Sequence, residues 1–179
     1  MQFKSVESLW DSKKISKKSL EKEMKLDFKG NLLVAVMLDH ATNGSQGGDI
    51  TDLIEGAKSI GINVVVLMSP DSADSLPSKN ILLYNEKNRL KLIEASDAAL
   101  VFAFTDIEEL ILNGVVPIGL REKGIEDYNP NKETGNGFCY DENDIWSLFA
   151  AVVRAKETFR FPFDWKHLIY NSLRKLETS

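Results

Sequence analysis

A single cysteine, Cys139, stands in this chain of 179 residues, which excludes an internal disulfide and any metal site built from several thiolates. Apolar runs are short: none approaches the roughly 18 to 20 residues needed to span a bilayer. Those at 32–38 and 98–104 have the length of strands. Residues 1–20 carry Lys4, Glu7, Asp11, Lys13 and Lys14 around no apolar centre, which is not the pattern of a secretory signal. The chain therefore reads as cytoplasmic. Basic charge is also scarce. The net charge is -5, and Lys13, Lys14, Lys17, Lys18, Lys22 and Lys25 are interleaved with Glu21 and Glu23. That is a mixed-charge helix surface, not a stripe that tracks nucleic-acid phosphates. The sharpest gap is local: no Lys or Arg occurs between Gly30 and Ala57.

What is present is an alternation of strands and helices. A hydrophobic fraction of 43% is that of a globular chain. Residues 1–14 read as a tail or arm, and 15–179 as a single domain. A short helix is expected over 16–24, with Leu20 and Met24 inward. Continuously apolar segments at 32–38 and 62–68 predict strands buried on both faces. Further strands are expected at 81–84, 98–104, 115–119 and 138–140. Helices are expected between them, at 50–60, 86–95 and 106–113. The strongest helical pattern is 144–158, with Ile145, Leu148, Phe149 and Val152 on one face. A last helix is expected at 165–176, after a break at Pro162. Parallel strands joined by right-handed crossovers follow from this order. The expected object is a doubly wound, mostly parallel Rossmann-like α/β sheet of about six strands with helices on both faces. Ligands of such sheets sit outside the carboxyl ends of the strands. The loops at 39–48, 69–80, 104–106 and 120–136 are thus the ones to inspect.

Several pieces, in order, resemble the C-terminal, nucleotide-sugar-binding half of glycogen and starch synthases, glucosyltransferases of the GT-B fold. Lys18-Ser19-Leu20-Glu21-Lys22-Glu23-Met24 is similar to the family's helix before the first strand. Asp97-Ala98-Ala99-Leu100 resembles its strand entry, and Gly114-Val115-Val116-Pro117-Ile118 its "G-T-x-P" strand. Gly135-Asn136-Gly137-Phe138 matches its "G-T/N-G-F" turn. The resemblance runs from about Lys17 to Arg174 and implies one lobe of a GT-B fold.

The departures fall where the family holds its ligand. The family uses an Arg and a Lys after the first strand to grip the donor's diphosphate, the Lys within "Q-K-G". Here the step is Gln46-Gly47-Gly48, and Leu38 and Asp39 stand near the arginine's place. Phe104-Thr105-Asp106 and the residues after it replace the "E-P-C-G-L-T-Q" loop. Glu122-Lys123-Gly124-Ile125 replaces "T-G-G-L". The acceptor half of such enzymes has no counterpart in the sequence.

Each candidate has a plain structural reading beside it. The loop Asn43-Gly44-Ser45-Gln46-Gly47-Gly48 could form an anion nest at a helix start. However, Asp39, Asp49 and Asp52 already place negative charge there. A like charge at ~4 Å costs roughly 4 kcal/mol at an effective dielectric near 20. A flexible connection is the better reading, with a neutral, hydroxyl-rich ligand still admitted. Asp106, Glu108 and Glu109 read as complements to a helix terminus rather than acid–base carboxylates. His40 reads as a loop residue within reach of a sugar, His167 as a surface residue, and Cys139 as a buried inert thiol.

The candidate ligand contacts are His40, Asn43, Gly44, Gly47, Gly48, Thr105 and Gly124. No catalytic residue, metal ligand or cofactor is implied, a nucleotide sugar being the ligand the resemblance admits. Phe159, Phe161, Phe163 and Trp165 form an apolar, aromatic, non-helical stretch expected to be a partner or self-association surface. The resulting expectation is a degenerate, non-catalytic glycosyltransferase-like domain that binds a partner protein, a glycan or a nucleotide sugar. Two alternatives stand beside it. One is an ADP- or UDP-glucose-dependent glucosyltransferase subunit whose acceptor lobe lies on another chain. The other is a protein-interaction domain that keeps only the scaffold.

Overall fold

The computed structural model describes residues 4–38, 47–71, 78–102 and 105–178. Twelve elements follow in order: α1 (Val6–Met24), β1 (Leu33–Leu38), α2 (Gly47–Ser59), β2 (Asn63–Met68), β3 (Ile81–Leu83), α3 (Glu86–Ala95), β4 (Ala98–Val101), α4 (Ile107–Leu112), β5 (Val116–Leu120), β6 (Phe138–Tyr140), α5 (Ile145–Phe159) and α6 (Pro162–Thr178). Short 3-10 turns at Ser78–Asn80 and Arg121–Lys123 interrupt the connections. The six strands form one sheet in the order β3-β2-β1-β4-β5-β6, and every neighbouring pair is parallel. This is the expected Rossmann-like α/β fold.

The strands are apolar on both sides because both faces are covered. Val34, Val36, Val64, Val66, Leu100, Ile118 and Phe138 point to one core, shared with residues of α2, α5 and α6. Leu33, Ala35, Val65, Leu67, Ala99, Val101 and Cys139 point to the other, which holds Leu92 and Ile93 of α3 and Leu20 of α1. The period-2 alternation of a strand sorts one continuous apolar run into two separate cores.

Helix boundaries follow from their caps. Asn85 accepts from the Asn88 amide at 2.8 Å, Asp106 from Glu109 at 3.0 Å, and Asp144 from Trp146 at 2.9 Å and Ser147 at 3.0 Å. Two expectations are corrected. The first helix does not begin at Ser16. Ser5 caps it and it runs from Val6, so much of the segment expected as an arm is helical. Its inward face is Leu9, Lys13 and Leu20, and a lysine in the middle of that stripe breaks the apolar period that would have marked it. Similarly, Pro162 does not separate α6 from a non-helical stretch; it is the first residue of α6. Proline is well suited there, since its missing N–H has no intrahelical acceptor in the first turn.

The long crossover from β5 to β6 is folded tightly against the sheet edge. Asp127 forms a parallel bridge with Gly137, and Asn129 pairs with Thr134. Asn136 is buried; its side-chain oxygen accepts from the Glu126 amide at 2.7 Å. The glycines beside it are required by this approach. Gly135 has φ +100° and lies against the Asp127–Tyr128 backbone. A Cβ on Gly137 would collide with the Pro117 carbonyl oxygen and come within 2.8 Å of Ile125 Cγ2. Because backbone cannot move aside as a flexible side chain does, Gly137→Ala is expected to destabilise the fold by about 3 kcal/mol, the upper end of overpacking costs. Urea titration of the two proteins checks this.

Candidate functional site

The chain builds outward from β1 to β3 on one side and from β4 to β6 on the other. The junction between β1 and β4 is therefore the switch point, and doubly wound sheets take their ligands in the crevice outside the carboxyl ends of the strands there. In sequence, residues 39–46 lead from β1 to α2 and residues 102–106 from β4 to α4. His40, Asn43 and Gly44 lie outside the described residues. Gly47 and Gly48 are the first residues of α2, directly after that loop.

Thr105 lies four residues beyond the end of β4. Its hydroxyl oxygen accepts from the Phe102 amide at 2.9 Å, so it closes the turn into α4. Gly124 has a left-handed backbone, φ +74°, and ends the 3-10 turn after β5. Its carbonyl accepts from Lys175 Nζ at 3.0 Å. The crossover that contains it is held by α6 at several further points. Tyr128 donates to Asp164 at 2.8 Å. Asn171 donates to the carbonyls of Glu133 at 2.9 Å and Gly135 at 3.0 Å. The Ser172 hydroxyl donates to the Asn136 carbonyl at 2.9 Å. Thr105 and Gly124 thus have local structural roles, on different segments.

The guanidiniums on this side of the sheet are matched by acids. Arg121 donates to Asp141 at 2.6 Å, and this bond holds the Asp141 carboxyl below its usual range. Arg89, in the first turn of α3, pairs with Glu86 at 3.0 Å and with Glu109 at the start of α4. Among the described residues no group of His, Cys, Asp and Glu could hold a metal ion. No helix among them is long and apolar enough to cross a membrane.

A titratable cluster that sequence reasoning missed lies at the opposite end of the sheet. Asp97, just before β4, is buried; it accepts from Lys17 and from the Leu33 amide at 2.8 Å. Lys13 is also buried, and its Nζ donates to the Ser96 carbonyl at 2.5 Å, with the Ile93 carbonyl at 3.4 Å. Burial pushes the Asp97 carboxyl up and Lys13 down to about 7, while Asp97 works against the second shift. The available signal was the spacing of Lys13 and Lys17, four apart on one face of α1. Lys13 serves as a cap for the last carbonyls of α3. The cluster is far along the strands from the carboxyl-end crevice and reads as the anchor of α1.

Of the aromatic residues expected at an interface, Trp165 is fully buried. It stacks on Phe138 with ring centroids 6.2 Å apart and meets Phe159 edge-on at 5.0 Å. Phe159 also lies 6.2 Å from Trp10. Both belong to the core region rather than to an open surface. Phe161 and Phe163 are 59% and 63% exposed, so only these two of the four present an apolar surface.

No protein-family model matches the chain. It is 31% identical over 128 residues to the glycogen synthase of Gloeobacter violaceus, covering 60% of this chain and 28% of that protein. It is 40% identical over 65 residues to glycogen synthase 1 of Synechocystis, covering 34% and 14%. With the glycogen synthase of Trichodesmium erythraeum it shares 31% over 103 residues, 52% and 22%. This chain is a glycogen-synthase-like GT-B domain. It spans between 14% and 28% of the length of these relatives. The domain's fold is shared with two solved proteins of low sequence identity. Anabaena HepE, in complex with UDP and glucose, superposes with a TM-score of 0.59 at 11% identity, covering 88% of this chain and 46% of that one. A UDP-forming α,α-trehalose-phosphate synthase from Burkholderia xenovorans gives 0.53 at 12% identity, covering 95% and 46%.

Proposed function

We propose that this glycogen-synthase-like domain does not carry out glucosyl transfer by itself and acts by binding, to a partner protein or weakly to a glycan or nucleotide sugar. One observation carries the reading: no Lys or Arg occurs from Gly30 to Ala57, the stretch around the first strand's carboxyl end, and Gly47 takes the place of a lysine. A departing nucleoside diphosphate gathers negative charge, and preorganised cations are what stabilise it. Loss of one such group costs roughly two to three orders of magnitude in rate. The pairing of Arg89 and Arg121 with carboxylates supports the reading, since neither guanidinium stands ready for a phosphate.

A second reading is a glucosyltransferase part whose acceptor lobe lies elsewhere. It is favoured by the low coverage of the relatives and by the UDP and glucose bound to HepE. A scaffold-only interaction domain is the third. Calorimetry with ADP-glucose and UDP-glucose separates the second reading from the other two. The expected result is no heat of binding below millimolar concentrations. Micromolar binding, with the phosphates held by Arg121, Lys123 or a cation from elsewhere, would overturn the proposal.

A further inference from the structure

β6 is the terminal strand of the sheet, and an open strand edge is a template for pairing with another chain. Its outward backbone groups are nevertheless engaged. At Gly137, just before the strand, the carbonyl accepts from the Tyr128 amide at 3.0 Å and the N–H donates to the Glu126 carbonyl at 3.1 Å. Residues 126–128 thus act as a fragment of a neighbouring strand, and then the chain turns away. Two residues on, Cys139 directs its N–H to Asp127 Oδ1 at 2.8 Å, and its carbonyl accepts from Arg154 Nη2 at 2.6 Å. The N–H and C=O of one strand residue point to the same side, so both Cys139 groups face away from β5. Asp127 and Arg154 are themselves paired at 3.2 Å. A carboxylate that accepts and a guanidinium that donates present to Cys139 what a partner strand's peptide would.

We infer that the Asp127–Arg154 pair is a side-chain substitute for a seventh strand, and that it prevents the β6 edge from pairing with the same edge of a second copy of this chain. The pair is only half-buried, at 38% and 44% exposure, so its Coulomb attraction is screened and its consequence lies in edge closure rather than in raw stability. A second copy is the expected occupant of the opened edge because two identical strands can satisfy each other's groups about a two-fold axis.

The test is light scattering after size exclusion on the wild type, D127A/R154A and D127N, with circular dichroism to confirm folding. The Ala pair is expected to dimerise at a concentration about tenfold or more below any seen for the wild type. D127N keeps an acceptor oxygen and is expected to behave as the wild type. An unchanged mass for a folded Ala pair overturns the inference, as does association of D127N equal to that of the Ala pair. Should the Ala pair fail to fold, D127A and R154A singly give the same reading. In the wild type, Cys139 amide exchange is expected to be slow; exchange at the rate of an open amide also overturns the inference.

Discussion

Replacing Trp165 with alanine is expected to destabilise the domain by about 3–5 kcal/mol, the range for removing a large aromatic side chain from a core. Trp165 is 0% exposed and is the largest of the fully buried side chains. It lies between α5, α6 and the sheet, against Phe138 and Phe159, so its loss opens a cavity bordered by residues of three elements. Its indole nitrogen is buried without a hydrogen-bond partner among the described residues. Trp165→Phe removes that unmet donor while keeping most of the ring, and is expected to cost about 1–2 kcal/mol less than the alanine change. Urea titrations with an unchanged slope would show that stability, not compactness of the unfolded chain, has moved. Phe161→Ser and Phe163→Ser, on exposed positions, are expected to stay within about 0.5 kcal/mol of the wild type. An equal loss at Phe163 and Trp165 would contradict the division between core and surface.

Asp97→Ala is expected to cost about 3 kcal/mol at neutral pH, because it strands the largely buried Lys17 ammonium and frees the Leu33 amide. It also removes the charge that raises Lys13 against the effect of burial. The direction of the pH dependence follows from Lys13. Its folded-state value, about 7, is below the unfolded value of 10.5. Between those values the unfolded chain binds the extra proton, so stability rises with pH. Without Asp97 the folded-state value drops further. The part of the deficit due to Lys13 is then absent above about 7, grows as pH falls below it, and is complete only below the variant's lowered value. The part due to Lys17 persists. Thermal melts of both proteins from about pH 5 to about pH 8 measure the difference. A deficit that grew with pH would contradict the assignment of Lys13.

The elements that the sequence made legible are those whose period is undisturbed. β6 and α3 have the bounds expected for them, 138–140 and 86–95. Each is bracketed by residues with a local preference: Asn85 caps α3, and Gly137 admits the close approach before β6. β4 ends at Val101 although apolar residues continue to 104, since composition does not say where a ladder stops. α1 was half legible. Lys13 on its inward face looks like solvent-facing charge until the carbonyls of α3 are brought to it from 80 residues away. At the candidate site, the lack of cations was legible directly. The roles of Thr105 and Gly124 were not, because each is set by a contact, with Phe102 and with Lys175.

Local preference and apolar periodicity, which act over a few residues, determined the alternation of elements, the parallel sheet and the poverty of positive charge after the first strand. Only the tertiary structure decided the partners of distant groups: Trp165 in the core, Lys13 against α3, and Asp127 with Arg154 on the outer edge of β6. The physical reason is one of range. A side chain's burial and bonding depend on what the fold brings to it, and no window of sequence contains both halves of those contacts.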